Sequence, residues 1–132
     1  MTVFVDTSSL FALLDADDGD HGRVLAAFDD LRESDAALVT TNYVVVETLA
    51  VCQRRLGIEA ARNLIENVMP LMDIHWVTAE AHWEAANGLL AANRRDLSLV
   101  DCVSFEVMRR LGIRRVLALD EHFRERGFEV VP

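Results

Sequence analysis

Short β-branched runs recur along this chain, and each is followed by residues that open or fill a helix. That alternation constrains the fold more than any other feature. Val3-Phe4-Val5 leads into Asp6-Thr7-Ser8-Ser9 and then Leu10, Phe11, Leu13 and Leu14. The apolar trio reads as a buried strand and the polar quartet as a helix start. Val24, Leu25, Phe28 and Leu31 follow at helical spacing. Leu38-Val39-Thr40 is a second strand, and Thr41-Asn42 opens a helix to about Leu56 that Gly57 caps. A helix from Glu59 to Val68 stops at Pro70, a strand covers Ile74 to Val77, and an alanine-rich helix runs from Thr78 towards Asn93. Ser98 caps a helix with Val100, Val103, Val107 and Leu111 along one face, ended by Gly112. Val116 to Leu119 is a fourth strand, Asp120 to Arg124 a helical turn, and Phe128 to Val131 a last strand. Strands alternating with helices predict an α/β fold, a mostly parallel sheet with helices on both faces.

No repeat, linker or shift in composition interrupts the 132 residues, so a single domain over 1–132 is expected. No apolar run is long enough to cross a bilayer, and no basic, apolar leader opens the chain; a soluble, cytoplasmic protein with no membrane partner is expected. Cys52 and Cys102 are too few for a disulfide framework and read as small buried hydrophobes. The net charge of -9 argues against holding nucleic acid through overall charge. All 13 basic residues are Arg. Without a lysine, the chain is neither a P-loop NTPase, nor a receiver domain, nor a Schiff-base enzyme. The pairs Arg54-Arg55, Arg94-Arg95, Arg109-Arg110 and Arg114-Arg115 read as solvated helix ends, with phosphate forks as the alternative.

In a parallel sheet, ligands bind at the carboxyl ends of the strands. Asp6 follows the first strand directly and Asp120 the fourth, so both carboxylates are expected on one edge. Glu47 lies within Val44-Val45-Val46-Glu47-Thr48-Leu49, where a charge needs a partner. Asp101 begins a helix continued by Cys102, Val103 and Phe105. Taken singly, Asp6, Asp101 and Asp120 are equally explained as helix caps or first-turn acids. Converging, the four would repel one another and raise one another's pKa values, and a divalent metal resolves that repulsion. Carboxylate ligands point to Mg²⁺ or Mn²⁺. His21, His75, His82 and His122 show no paired zinc-type spacing. Trp76 and Trp83 are read as core or partner-facing residues rather than a base-stacking platform.

Four blocks then resemble the PIN-domain ribonucleases. They are Val3-Phe4-Val5-Asp6-Thr7-Ser8-Ser9-Leu10, Thr41-Asn42-Tyr43-Val44-Val45-Val46-Glu47, Asp96-Leu97-Ser98-Leu99-Val100-Asp101-Cys102-Val103-Ser104-Phe105, and Leu119-Asp120-Glu121-His122-Phe123. Together they cover essentially the whole chain, and a domain of this size most resembles the VapC-type toxins of bacterial toxin–antitoxin pairs. The resemblance implies a three-layer α/β/α fold and a Mg²⁺- or Mn²⁺-dependent endonuclease acting on RNA. It implies Asp6, Glu47, Asp101 and Asp120 as the catalytic, metal-binding acids. Asp6 and Asp101 would hold the principal ion, and Glu47 and Asp120 would complete the cluster or bind a second. Thr7, Asn42 and Ser98 match polar positions that support the acids or the substrate phosphate, and Asp96 matches an additional outlying acid. Leu97 stands where an aromatic is frequent. An antitoxin protein and a second copy of the chain are the implied partners.

Two other readings fit part of the pattern. A strand ending in Asp also opens haloacid-dehalogenase-type phosphatases, but their second acid is replaced here by Ser8 and no lysine exists to bind phosphate. A catalytically silent module that binds RNA or a partner protein would usually have lost one of the four acids.

Overall fold

The computed structural model describes residues 1–132. The first half runs β1 (Thr2–Val5), α1 (Thr7–Leu14), α2 (His21–Glu33), β2 (Ala37–Thr41), α3 (Asn42–Leu56) and α4 (Ile58–Asn63). The second half runs β3 (Asp73–His75), α5 (Ala79–Ala92), α6 (Leu99–Leu111), β4 (Arg115–Leu117), α7 (His122–Glu125) and β5 (Glu129–Val131). The five strands lie in the order β3-β2-β1-β4-β5, every pair parallel. Successive strand residues point to opposite faces, and Val3, Phe4 and Val5 are all fully buried, so helices cover both sides of the central strand. The result is the three-layer α/β/α arrangement that the alternation predicts.

One apolar core joins the sheet to its helices, with Phe4, Leu10, Val44, Leu64, Phe105, Met108 and Phe123 among its buried members. Cys52 and Cys102 are both buried free thiols within this apolar interior. Leu97, where the family more often has an aromatic, is buried in the core. Trp76 and Trp83 are not core residues: they are 71% and 65% exposed.

Most boundaries shift by a residue or two, and three of the differences have a clear local reason. The third strand ends at His75 because its pairing partner β2 ends at Thr41, and Val77 N–H donates instead to the Asn42 side chain at 2.9 Å. The fourth ends at Leu117, and Leu119 N–H donates to Ser8 Oγ at 2.9 Å rather than to a strand. The expected helix from Glu59 to Val68 is α-helical only to Asn63, then widens into a π-turn over Leu64–Val68 and tightens into a 3₁₀ turn over Met69–Leu71. Pro70 has no N–H to continue the ladder, and its ring crowds the carbonyl four residues back.

β2 and β3 extend the sheet to one side of β1, and β4 and β5 to the other. The chain therefore reverses direction of travel across the sheet between β1 and β4. The carboxyl ends of those two adjacent strands frame the crevice where such folds bind ligands.

Candidate active site

Asp6 stands directly after β1 and caps α1. Its Oδ2 accepts hydrogen bonds from Ser8 Oγ at 2.7 Å and Ser8 N–H at 3.2 Å. Ser8 Oγ in turn accepts from Leu119 N–H, which fixes the residue before Asp120 against the Asp6 turn. Behind it, the buried Ser9 hydroxyl lies 2.8 Å from Asp6 O and 2.7 Å from Leu117 O and shares its one proton between these carbonyls. Asp6 N–H also donates to Leu117 O at 3.1 Å. Backbone and hydroxyls thus lock the ends of β1 and β4 together.

The other acids approach from helices and from the turn after β4. Asp101 lies in the first turn of α6 in a reciprocal cap: its N–H donates to Ser98 Oγ at 3.0 Å and its Oδ2 accepts from Ser98 N–H at 3.1 Å. Asp120 Oδ1 accepts from His122 N–H at 2.9 Å. Glu47 projects half-buried from α3 beside the Thr7 hydroxyl. The capping readings of Asp6 and Asp101 are therefore correct, and they coexist with the functional one, because a cap at the carboxyl edge of the sheet also aims its carboxylate into the crevice.

Electrostatics show that the four acids share one field. Burial pushes Asp6 up to about 6; the Ser8 hydroxyl and amide pull it down, and the charges of Asp101 and Asp120 add to the rise. Burial also raises Glu47, offset by Thr7 and reinforced by Asp101 and Asp120. Asp101 is raised by burial, resisted by the Ser98 bonds and helped by Asp120. No arginine forms an ion pair with any of these four. Clustered carboxylates with no arginine among them are suited to a divalent ion.

The grouping close enough to share one ion is Asp101, Asp120 and His122; Asp6 and Glu47 stand outside it and feel Asp101 and Asp120 through their charge. The sequence reading did not single out His122. One ligand atom each from Asp101, Asp120 and His122 lie within 4.8 Å of one another, a grouping able to hold a metal. The search for paired histidines passed over it; the available signal was a histidine two residues beyond a strand-ending acid. Of the supporting positions, Thr7 touches Glu47 and Thr48, Ser98 caps α6, and Asn42 Oδ1 holds Val77 N–H. Asn42 also lines, with Tyr43, Val46, Glu47 and Val100, a groove of about 310 Å³ beside the acids. Asp96 is exposed and outside the cluster; it pairs with Arg94 and meets His122 Nε2 at 3.1 Å. Of the four arginine pairs, Arg94-Arg95 comes nearest the site, through Arg94, whose guanidinium is committed to Asp96 and Glu125.

Residues 3–129 match the PIN domain family. The chain is 34% identical over 132 residues to the 23S rRNA-specific endonuclease VapC20 of Mycobacterium tuberculosis, with 98% of each chain covered. The crystal structure of that M. tuberculosis protein, a sarcin–ricin loop cleaving toxin, superposes with a TM-score of 0.84 at 35% identity, over 98% of this chain and 99% of that one. Two further structures share the fold. VapBC2 of Rickettsia felis, bound to a promoter DNA fragment, has a TM-score of 0.74 at 9% identity, covering 98% and 97% of the two chains. FitAcB of Neisseria gonorrhoeae has a TM-score of 0.70 at 17% identity, covering 100% and 97%. With its four acids gathered at the carboxyl edge of a parallel sheet and this likeness along its length, the chain belongs to the PIN-domain family, among its VapC-type members.

Proposed function

We propose that this protein is a metal-dependent endoribonuclease, the toxin of a toxin–antitoxin pair, that hydrolyses RNA phosphodiesters with Mg²⁺ or Mn²⁺. The observation that carries the reading is the convergence of Asp6, Glu47, Asp101 and Asp120 with no arginine between them. Asp6 and Asp101 would hold the ion, with Glu47 and Asp120 completing the cluster. When bound, the ion activates a water and offsets charge on the phosphate under attack. Ser8, Thr7 and Ser98 orient Asp6, Glu47 and Asp101 through the bonds described above. Carboxylates without an arginine among them repel a phosphate backbone, and a bound divalent ion would offset that repulsion. The groove along Asn42, Val46 and Val100 offers an apolar wall beside Glu47 for a nucleoside.

Ribosomal RNA is the first substrate class to test, because the 34%-identical relative acts on 23S rRNA. An antitoxin protein is the proposed cellular partner, since the 35%-identical relative is a toxin, and the cytoplasm is the proposed site of action. A homodimer is the proposed assembly; Trp83 and Leu90, exposed on α5, supply apolar surface for a partner. No helix of the chain is long and apolar enough to cross a membrane.

The test is incubation of purified protein with pooled ribosomal and transfer RNA, with Mg²⁺, Mn²⁺ or EDTA, beside Asp6→Ala. Metal-dependent cleavage that the variant lacks is expected. Metal binding without cleavage of any RNA would move the reading to a silent binding module.

A further inference from the structure

The ring of His122 is held from behind and open in front. Nε2 lies 3.1 Å from Asp96 Oδ2. Asp96 is gripped by the Arg94 guanidinium, with Nε to Oδ1 at 3.0 Å and Nη2 to Oδ2 at 2.7 Å, and Arg94 Nη1 reaches Glu125 at 2.8 Å. A carboxylate paired this way with arginine is ionised and can only accept, so Nε2 carries the proton and donates it.

The other nitrogen faces the acids. Nδ1 is 2.9 Å from Asp120 Oδ1 and 3.6 Å from Asp101 Oδ2. The shorter distance is within hydrogen-bond range, yet the approach is not aligned for one: Nδ1 is sealed from solvent and makes no hydrogen bond. A buried ring nitrogen placed so close to two carboxylates calls for positive charge at that point, supplied either by a proton on the ring or by a cation between the donors. The separation from Asp120 is that of neighbouring donors around a small divalent ion, about 3 Å apart for ligand bonds of about 2.1 Å, and Asp101 stands somewhat wider at 3.6 Å.

We infer that His122 is a ligand of the catalytic ion, giving its Nδ1 alongside Asp101 and Asp120, and that Asp96 and Arg94 orient the ring. This rests on the metal-nuclease reading and adds to it a nitrogen donor. Metal-binding histidines characteristically give their second ring N–H to a carboxylate, which fixes the tautomer and the ring plane. The Arg94–Asp96–His122 chain supplies that support from outside the pocket. A nitrogen in the ligand set also tilts the site towards Mn²⁺, since Mg²⁺ takes oxygen donors.

The experiment is electron spin-echo envelope modulation on the Mn²⁺-loaded protein, with Mn²⁺ affinity measured by titration. Nitrogen modulation from a bound imidazole is expected in the wild type. In His122→Gln it should vanish while Mn²⁺ still binds, about tenfold or more weakly. Bound Mn²⁺ without nitrogen modulation in the wild type overturns the assignment and leaves the nuclease reading intact; that result would make His122 an imidazolium that only neutralises the acids. Modulation persisting in His122→Gln overturns it too, since the nitrogen then comes from elsewhere. Failure of the wild type to bind Mn²⁺ at all overturns both readings.

Discussion

Asp6 and Asp96 carry the same side chain, yet the protein treats them in opposite ways. Asp6 is buried, meets no arginine, and is pushed up to about 6. Asp96 is exposed, and its bonds to the Arg94 guanidinium and to His122 hold it well below the usual carboxylate range. The same contrast holds more widely. Outside the crevice, acids such as Asp20, Glu106 and Glu129 pair with arginines, whereas inside it Asp6, Glu47, Asp101 and Asp120 have none. A paired surface acid is at rest as it stands. A buried, unpaired one holds an unfavourable charge until a cation arrives, and that is what separates an acidic site from an acidic surface.

The strongest way to break this contrast is Asp6→Asn. RNA cleavage should fall by at least about a thousandfold, since a metal-holding charge is lost. The metal-free fold should tolerate the change, because the amide oxygen still accepts from Ser8 and no charge is buried. Thermal unfolding in EDTA at pH 8 should show the variant at least as stable as the wild type; a clear loss of stability would remove Asp6 from the class of strained acids.

The pH dependence sharpens the comparison. A carboxyl raised from 3.8 to about 6 in the folded state favours folding while protonated, and that contribution is lost as pH rises through about 6. The displacement corresponds to about 3 kcal/mol. Denaturant titrations in EDTA should therefore show wild-type stability falling from pH 4 to pH 7 relative to Asp6→Asn. Metal affinity should change in the opposite sense, strengthening over that window as the proton leaves. Parallel pH curves for the two proteins would contradict the shift.

A smaller effect is expected from Ser9→Ala. Its buried hydroxyl joins the Asp6 and Leu117 carbonyls, so the loss should cost about 1–2 kcal/mol in chemical denaturation and lower activity by loosening the β1–β4 junction. Smallest of all is Arg115→Ala at the exposed ion pair with Glu129, worth less than about 1 kcal/mol, with no change in metal affinity.

Much of this was legible in the residues. Val3-Phe4-Val5 and Val116-Leu117 announce buried strands because only a sheet covered on both faces accepts consecutive β-branched and apolar residues. Asp6 and Asp120 follow them, and parallel pairing then puts the two acids together. His122 escaped because its importance lies in where each ring nitrogen points, which depends on Asp96 and Arg94 returning from a distant loop. Trp76 and Trp83 fitted either a core or a partner-facing surface, and only tertiary packing shows that both face outward. The widened turn before Pro70 likewise depends on how one helix accommodates a missing donor, which periodicity does not encode.

The hydrogen bond from Leu119 N–H to Ser8 Oγ spans 111 positions of sequence. Its consequence is one of timing. During synthesis the Asp6 block emerges long before the strand that carries Asp120 to it. Before then Asp6 has no fourth-strand neighbour, Leu117 cannot receive its amide, and the cluster does not exist. A half-made chain on the ribosome therefore has none of the assembled site, and cutting power arrives in one step as the late strand docks beside the earliest. For a protein proposed to cut RNA in the cell that makes it, the topology delays the hazard until the fold that can be recognised and restrained is in place.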